Sequence, residues 1–359
     1  MEPSSTFLLF SAVKILCVFS VLMFIVAYAV WVERKVAAAI QDRIGPNRVG
    51  IFGLLQPVAD AIKAFLKEDF TPAHVRKAYY WLAPTIVMIP SLLTAAIIPF
   101  GSLLGGEKMV IANLNVGILY TFGIVSLSVY GIVLAGYAAR SKYPFLGGIR
   151  SSAQMISYEI AMGMSVVPLF MIAGGLEVQQ LSSGWQNFLA ATTSLNLNRL
   201  VAWQAAHGWL ILYAPLSFGI FVAAMFAETN RLPFDLPESE QELAGGYNVE
   251  YSSMKFALFF MGEYAAMTVA AALMVTLFLG GWTLPFAGLN QPAGTVGVGL
   301  LQIGIFLGKM LTVEFMVIWV RWMWPRFRYD QLMALGWRRF IPLALANILI
   351  SALGLWALG

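Results

Sequence analysis

The hydrophobic residues of this chain are gathered into long runs separated by shorter polar connections. A run of about 20 apolar residues is long enough to cross the hydrocarbon core of a bilayer as an α-helix. The pattern predicts an all-α integral membrane protein, with all 359 residues in one transmembrane domain. The eight predicted spans lie at roughly 8–32, 79–104, 116–140, 153–175, 208–228, 254–281, 298–322 and 338–358.

The first polar connection contains a segment with a different pattern, over residues 51–67. Its apolar residues recur on one arc of a helix, and these are Ile51, Leu54, Leu55, Val58, Ile62, Phe65 and Leu66. The opposite arc carries Gln56, Asp60, Lys63 and Lys67. This pattern is typical of an amphipathic helix in the membrane interface, and Pro57 predicts a bend in its second turn. Two interpretations stay open, a peripheral anchor and one wall of a cavity at the membrane surface.

Composition supports the membrane class. Hydrophobic residues make up 60% of the chain, charged residues only 11%, and the mean hydropathy is +0.77. These values lie outside the range of soluble domains. The first run is also too long, and continues too directly into charged sequence, for a cleaved signal peptide.

The basic residues predict the orientation of the spans. Most of the 22 Lys and Arg residues fall in the connections after the odd-numbered spans, whereas only Lys108 and Arg199 lie in the opposite connections. Basic connections stay in the cytoplasm, so both termini are predicted outside. The net charge of +4 follows from this asymmetry, and we infer no nucleic-acid partner from it.

The connection that begins at Glu228 is the most acidic part of the chain. Pro233 and Pro237 break any helix there and predict a shaped loop. Its single arginine is Arg231, and its carboxylates are Glu228, Asp235, Glu238, Glu240, Glu242 and, just beyond, Glu250. Because such a loop is costly between two apolar spans, we interpret it as a site that handles protons or cations.

Ionisable residues inside the predicted spans are expensive and need a partner, water or a neutral state. Glu159 and Glu263 are predicted at the level of the acidic loop, where burial favours the neutral acid and allows proton exchange. Hydrogen bonding between helices is the alternative role for both. Lys14 is expected to extend toward the membrane surface, and Glu314 is expected near a span end, paired with Lys309.

The residue inventory limits the cofactors. Cys17 is the only cysteine, so this chain alone cannot hold an iron–sulfur cluster. The two histidines, His74 and His207, are predicted too far apart to bind one haem, and the sequence has no phosphate-binding loop. No metal ligands and no catalytic redox centre are predicted in this chain, so any metal centres must belong to partners.

Several long motifs, in order, resemble one membrane-subunit family, the H subunits of respiratory complex I, the proton-pumping NADH:quinone oxidoreductase, in its bacterial form. The resemblance covers about residues 20–345. Its motifs are Glu-Arg-Lys at 33–35, Arg-Ile-Gly-Pro-Asn-Arg-Val-Gly at 43–50, Gly-Leu-Leu-Gln-Pro-Val-Ala-Asp at 53–60, Ser-Tyr-Glu at 157–159, Glu-Thr-Asn-Arg-Leu-Pro-Phe-Asp at 228–235, Glu-Tyr at 250–251 and Pro-Arg-Phe-Arg-Tyr-Asp-Gln-Leu-Met at 325–333.

The resemblance implies a multi-pass protein of the bacterial inner membrane that forms the membrane side of a quinone chamber. The quinone-binding residues it implies are Arg34, Gln41, Arg43 and Asp60 at the entrance, with Arg231 and Phe234 nearer the chamber. The implied proton path consists of Glu159, Glu228, Asp235, Glu238, Glu240, Glu242 and Glu263.

The same resemblance implies that quinone is the substrate and that this chain binds no cofactor of its own. FMN and iron–sulfur clusters are expected on partner subunits. The expected partners are the peripheral-arm iron–sulfur and quinone-site subunits, the small membrane subunits beside this chain, and membrane lipid.

Other functions remain open on the sequence. A membrane subunit of a related energy-converting hydrogenase-type complex would share the fold without using a quinone, although Thr229-Asn230 favours an NADH-fed enzyme. An autonomous proton-coupled transporter would usually contain internal repeats, and we find none. A purely structural anchor for a redox arm would leave the carboxylates unexplained.

Overall fold

The computed structural model describes residues 5–180, 195–235, 245–285 and 288–358. Within those ranges the chain is built from twelve α-helices and one small hairpin. The helices are α1 (Ser5–Ile40), α2 (Gln56–Leu66), α3 (Lys77–Ala95), α4 (Gly117–Ala138), α5 (Lys142–Gln180), α6 (Leu197–His207), α7 (Leu210–Tyr213), α8 (Pro215–Glu228), α9 (Ser253–Phe278), α10 (Val296–Met323), α11 (Tyr329–Leu335) and α12 (Ile341–Leu358). Short 3₁₀ turns cover Ile51–Gly53 and Gly246–Asn248, and a π-helical turn, Gly336–Phe340, joins α11 to α12.

The structure confirms an all-α membrane protein. In the described ranges, seven helical segments are long and apolar enough to cross a bilayer. They are Leu9–Ile40, Lys77–Ala95, Gly117–Ala138, Lys142–Gly174, Ser253–Phe278, Val296–Met323 and Tyr329–Ala357.

The predicted span at 208–228 has a different form. It is divided at Ala214 into the one-turn helix α7 and the 14-residue helix α8. Pro215 begins α8, at a position where its missing N–H costs no helical hydrogen bond. At about 1.5 Å per residue, α8 alone is about 21 Å long, shorter than the bilayer core.

Helix α9 is the centre of the bundle. About two thirds (67%) of its most apolar window is buried inside the protein, compared with 17% for α1 and 11% for the last span. Its apolar residues face every direction, which is typical of a helix enclosed by other helices. It packs against α1, α3 and α10, and its residues dominate the main hydrophobic core.

Glycines bring α4 and α5 unusually close together. A Cβ added to Gly136 would lie 2.5 Å from the carbonyl oxygen of Pro144, and one added to Gly148 would lie 3.2 Å from that of Ile132. Small residues allow membrane helices to pack backbone against backbone. This contact fixes the position of α4 relative to α5, which carries Glu159.

The amphipathic helix predicted near 51–67 is present as α2. None of its residues is buried, and its apolar side chains, including Val58, Ile62 and Phe65, are exposed for contact with lipid. The predicted bend at Pro57 is wrong. The helix begins at Gln56, so Pro57 lies in the first turn, where proline is tolerated.

A hairpin on the opposite side of the bundle was not predicted. Strands β1 (Leu103–Leu104) and β2 (Glu107–Lys108) pair antiparallel. Gly105 and Gly106 both have positive φ, as a tight two-residue turn requires. The hairpin brings Glu107 to 3.2 Å from the ammonium of Lys14, so Lys14 has an ionic partner at this side of the bundle.

The orientation of the chain gives a first testable prediction. A reporter fused after Gly359 should lie on the outer face, because the basic connections belong in the cytoplasm and eight crossings return the chain to its starting side. Reporter activity or protease protection in membrane vesicles measures this. A cytoplasmic reporter would contradict it.

Candidate functional site

A buried carboxylate, Glu33, joins four parts of the chain. It is 6% exposed and accepts hydrogen bonds from Arg231 (3.1 Å), from the hydroxyl of Tyr264 (2.7 Å) and from Arg321. These partners lie on the loop after α8, on α9 and on α10, while Glu33 itself lies on α1. Two guanidinium groups on one carboxylate make a tightly held ionic cluster. We call these four residues the Glu33 cluster.

Glu33 was missing from the predicted site residues. The sequence suggested that the first span ends at Val32, whereas α1 continues for two more turns to Ile40. Glu33 therefore lies inside a helix and faces the core. Its position as an acidic residue directly after an apolar run, in an otherwise basic connection, was the available signal.

Arg231 is buried and remains charged. Burial acts to lower the pKa of Arg231, but the neighbouring Tyr264 and Glu33 outweigh it and leave that pKa raised. The guanidinium also lies 4.3 Å from the centre of the Tyr264 ring, a cation–π contact. Within the described ranges, its Nε and Nη2 atoms have no hydrogen-bond partner.

A small polar cavity lies beside this guanidinium. Its volume is about 20 Å³, enough for one water molecule. The residues around it are Asn230, Arg231, Leu232, Asp235, Phe260, Glu263, Tyr264 and Arg321. The Glu33 cluster and the acidic loop therefore share one polar space.

Asp235 forms an ion pair with an arginine from outside the acidic loop. Its carboxylate is 3.0 Å from Arg326, in the segment after α10, and it borders the same small cavity as Arg231. Burial raises the pKa of Asp235, and the positive charge of Arg326 offsets only part of that rise. Arg231 and Asp235 are close in sequence, yet their ion-pair partners come from different parts of the chain, Glu33 on α1 and Arg326 after α10.

Phe234 is packed into the protein interior. Its ring lies 5.3 Å from Tyr158 and 5.5 Å from Phe327. The backbone on either side is held by Gln154, which donates to the carbonyl oxygens of Ala227 (2.8 Å) and Phe234 (2.9 Å). Gln154 was not predicted, although it anchors the loop that carries Arg231.

The predicted entrance residues form two pairs at the start of the first connection. Arg34 donates to Asp60 at 2.7 Å and so ties α1 to α2. Arg43 donates to Gln41 at 2.7 Å in the turn after α1. Gln56 also donates to Asp60, at 3.0 Å. The pair Arg34–Asp60 thus lies on the polar face of α2, whose other face is apolar and exposed.

The structure brings Glu228 and Glu263 to one cavity inside the bundle. The cavity has a volume of about 80 Å³, room for several water molecules. Hydroxyl side chains line it as well, from Ser91, Thr94, Thr121, Ser128, Thr229 and Tyr247. Glu263 accepts from Tyr247 at 3.3 Å. The carboxyl oxygens of Glu228 are buried and have no partner among the residues described.

Glu159 is held outside that cavity by Ser126 of α4. It lies near enough to Glu228 for the two carboxyl groups to interact electrostatically. Three of the predicted acidic residues, Glu159, Glu228 and Glu263, are therefore neighbours. The remaining loop carboxylates, Glu238, Glu240 and Glu242, lie outside the described residues.

The predicted pairing of Lys309 with Glu314 is wrong. Lys309 donates to the carbonyl oxygens of Leu279, Gly281 and Thr283 beyond the end of α9, at 2.6–3.0 Å. Glu314 contacts Thr268 of α9 instead. The reason is helical geometry, because residues five apart do not face each other, unlike those three or four apart.

In the part of the chain that the structure describes, no three His, Cys, Asp or Glu side chains are placed to bind one metal ion. The polar groups described at the site are carboxyl, guanidinium and hydroxyl groups. Such groups can hold and move protons and can bind the polar oxygens of a small substrate.

Comparisons with known proteins agree on one family. Residues 13–352 match the profile of the NADH dehydrogenase family. The chain is 44% identical to an H subunit of the NADH-quinone oxidoreductase of Cytophaga hutchinsonii over 358 residues, which cover 98% of both chains. It is 46% identical to NADH-quinone oxidoreductase subunit 8 of Rhodothermus marinus, with 90% of this chain and 91% of the relative covered. The identity to an H subunit of the same enzyme from Geobacter metallireducens is 45%, with 98% of both covered.

The Glu33 cluster gives a prediction about stability. Glu33→Gln should destabilise the protein by about 3–5 kcal/mol, because it leaves the buried Arg231 without its counter-ion. Thermal unfolding and the amount of protein in the membrane measure this. The control is Asp330→Asn, which breaks an exposed pair with Arg328 and should cost about 1 kcal/mol or less. Equal behaviour of the two variants would refute a structural role for the cluster.

Proposed function

The chain belongs to the family of H subunits of NADH-quinone oxidoreductase, and on that premise we propose that it forms the membrane side of the quinone-binding chamber and couples quinone reduction to proton translocation. It is a multi-pass subunit of an oxidoreductase in the bacterial inner membrane, and its partners are other subunits of respiratory complex I. The observation that carries the proposal is the Glu33 cluster, in which the buried, charged Arg231 borders a small polar cavity that it shares with Asp235 and Glu263.

The entrance suits a molecule with a polar head and a long apolar tail. Helix α2 offers exposed apolar side chains to lipid, and the pair Arg34–Asp60 lies at its polar face. A quinone can leave its tail among the apolar residues while its head meets the charged pair. In this proposal Gln41 and Arg43 line the same mouth.

Arg231 is placed to respond to a quinone head. Quinone carbonyl oxygens gain negative charge on reduction, and the unpartnered Nε and Nη2 atoms of Arg231 are donors for such oxygens. The packing of Phe234 against Tyr158 and Phe327 supports a positioning role for Phe234, which keeps the Arg231 loop in place. Gln154 contributes to the same positioning.

Reduction of a quinone to a quinol takes up two protons, and the carboxyl groups provide a way to couple this to the membrane. Any negative charge that binds Arg231 competes with Glu33 for the guanidinium. A carboxylate that loses its cation in a buried site favours its protonated form. Glu263 borders both the small cavity beside Arg231 and the larger cavity that holds Glu228. A change of protonation near Arg231 can therefore reach Glu228 through Glu263.

We further propose that this chain holds no metal centre and that partner subunits deliver the electrons to the quinone. FMN and iron–sulfur clusters would lie on peripheral-arm subunits, with small membrane subunits beside this chain and lipid around it. The alternative, a subunit of an energy-converting hydrogenase-type complex, keeps the carboxyl chemistry but needs no quinone entrance. The exposed apolar side of α2 beside Arg34–Asp60 favours the quinone function.

The entrance can be tested by separating two activities of the assembled complex. Asp60→Asn or Arg34→Ala should lower the efficiency of quinone reduction roughly tenfold, which corresponds to about 1.4 kcal/mol. NADH oxidation by an artificial acceptor should stay unchanged, since electron input is remote from this subunit. Steady-state kinetics with a water-soluble acceptor and with a quinone measure the two rates.

The matched control for the entrance is Glu107→Gln, which breaks an ion pair on the opposite side of the bundle. It should leave both activities at the wild-type level. A proportional loss of both activities in Asp60→Asn, at normal subunit levels, would remove Asp60 from the quinone site.

The carboxyl groups can be tested as a connected set. Glu159→Gln, Glu228→Gln, Glu263→Gln and Asp235→Asn each remove a proton site while preserving volume. Each should lower turnover and the number of protons moved per electron, and pairs of changes should be non-additive because neighbouring titrations interact. Proton uptake and quinone reduction are measured together in sealed vesicles. Wild-type values in all four variants would reduce these residues to structural polar groups.

A further inference from the structure

Glu314 lies deep in the bundle, away from the acidic loop. It is 3% exposed, on α10, and its Oε1 atom is 3.0 Å from the hydroxyl of Thr268 on α9. We propose that Glu314 and Thr268 form a proton-holding pair in the membrane, in which Glu314 holds a proton more firmly when an anion neutralises Arg231 and releases it more readily when the charge of Arg231 is restored. None of the residues of the predicted proton path lies on α10, so Glu314 adds a proton site on that helix.

The hydrogen bonds of Thr268 show which partner carries the proton. Its hydroxyl lies 2.9 Å from the carbonyl oxygen of Tyr264, one turn earlier, and 3.0 Å from Glu314. A hydroxyl has one proton to donate, and a carbonyl oxygen can only accept. If Thr268 donates to Tyr264, the contact with Glu314 is a hydrogen bond only when Glu314 is the donor. Both contacts are therefore satisfied together by the neutral acid.

The surroundings also favour the neutral acid. The second oxygen of Glu314, Oε2, is buried and has no hydrogen-bond partner in the described ranges. The nearest basic residue on its own helix, Lys309, is occupied by three carbonyl oxygens at the end of α9. Arg231 is bound to Glu33. An ionised carboxylate without a bound cation is costly at this depth.

The pair is one helical turn from the Glu33 cluster. Tyr264, whose carbonyl accepts from Thr268, donates its own hydroxyl to Glu33. Arg231 belongs to the cluster that Tyr264 links to this pair, and a positive charge nearby favours the ionised form of a carboxyl group. Other charged groups that face this region are Glu33, Arg321 and Lys309. When a new anion neutralises Arg231, Glu314 holds its proton more firmly, and Thr268 keeps its bond to Tyr264.

Ionisation would switch the hydroxyl of Thr268. An ionised Glu314 can only accept, so Thr268 would turn its proton from the Tyr264 carbonyl to the carboxylate. The hydroxyl therefore has two discrete arrangements, each tied to one charge state of Glu314. A two-state element of this kind is what a coupling step requires.

The same arrangement occurs a second time in the chain. Ser126 lies 2.8 Å from the carbonyl oxygen of Phe122, one turn earlier, and also contacts Glu159. In both places a glutamate on one helix, buried for Glu314 and half-buried for Glu159, meets a hydroxyl that bonds back to its own helix. Glu159 is one of the residues of the proposed proton path. Its similar hydroxyl contact supports proton storage at Glu314 as well.

The far side of Thr268 gives no route for protons. It borders a cavity of about 400 Å³ on the hairpin side of the bundle, whose other walls are almost entirely apolar, with Lys14 and Glu107 as its charged residues. Apolar cavities do not hold ordered water. In this proposal Glu314 therefore stores a proton on the side of the Glu33 cluster instead of conducting it across the membrane.

Infrared difference spectroscopy of the assembled complex, titrated in pH, tests the pair. A protonated buried carboxyl gives a carbonyl band separate from ionised carboxylates. This band should be lost in Glu314→Gln, shifted in Thr268→Val, which removes the acceptor, and unchanged in Thr268→Ser, which keeps the hydroxyl. A spectrum of Glu314→Gln equal to wild type at every pH would overturn the proposal. If Glu314→Gln fails to assemble, equal spectra of Thr268→Val and Thr268→Ser would overturn it.

The coupling role rests on the proposed function and is measured separately. Glu314→Gln and Thr268→Val should lower the number of protons moved per electron, with uncoupled quinone reduction retained, and Thr268→Ser should restore the wild-type ratio. Wild-type ratios in all three variants would refute the coupling role. If the entrance variants show no effect on quinone but the infrared band behaves as expected, the proton site stands and the quinone assignment fails.

Discussion

A charged side chain buried in a membrane protein needs a counter-ion nearby, and this constraint organises the bundle. Arg231 is the clearest case. It is 5% exposed on a loop between two apolar helices, and its charge is balanced by Glu33 from the first helix. Arg321 and Tyr264 reach the same carboxylate. One ionic cluster thus sets the relative positions of α1, α9, α10 and the acidic loop, and the cavities described above lie around it.

Much of the fold follows from hydrophobic periodicity, while the partners of the charges do not. The apolar runs predicted the long helices and α2 because run length and period are local properties. Glu33 was missed because the hydrophobic run ends before the helix does. The pairing of Lys309 with Glu314 was wrong because nearness in sequence was taken for nearness on a helix surface. The partners of Lys309 and Glu314 depend on how α9 and α10 pack, and this packing cannot be derived from a single sequence.

The candidate site shows the same division. Glu228 and Glu263 were predicted at one level of the membrane, and the structure places them on a common cavity. Asp235 borders the same small cavity as Arg231, but its ion-pair partner is Arg326, which lies 91 residues further along the chain. Gln154 and Ser126 gave no sequence signal, since uncharged polar residues are common in helices. Residue type therefore identified the carboxyl groups, and only the fold identified what holds them.

The contacts of Lys309 bear on how the protein is made. The carbonyl oxygens of Leu279, Gly281 and Thr283, beyond the end of α9, depend on an ammonium that lies on the next helix. Until α10 has been synthesised, the carbonyl oxygens at the end of α9 lack their hydrogen-bond donor. Exposure of the charged Lys309 side chain to lipid is also costly. Alone in the bilayer, α9 would leave these carbonyl oxygens without a donor, and α10 would leave the ammonium of Lys309 without an acceptor. Their release from the insertion machinery is therefore expected as a pair, with biogenesis of the bundle core completed late in translation.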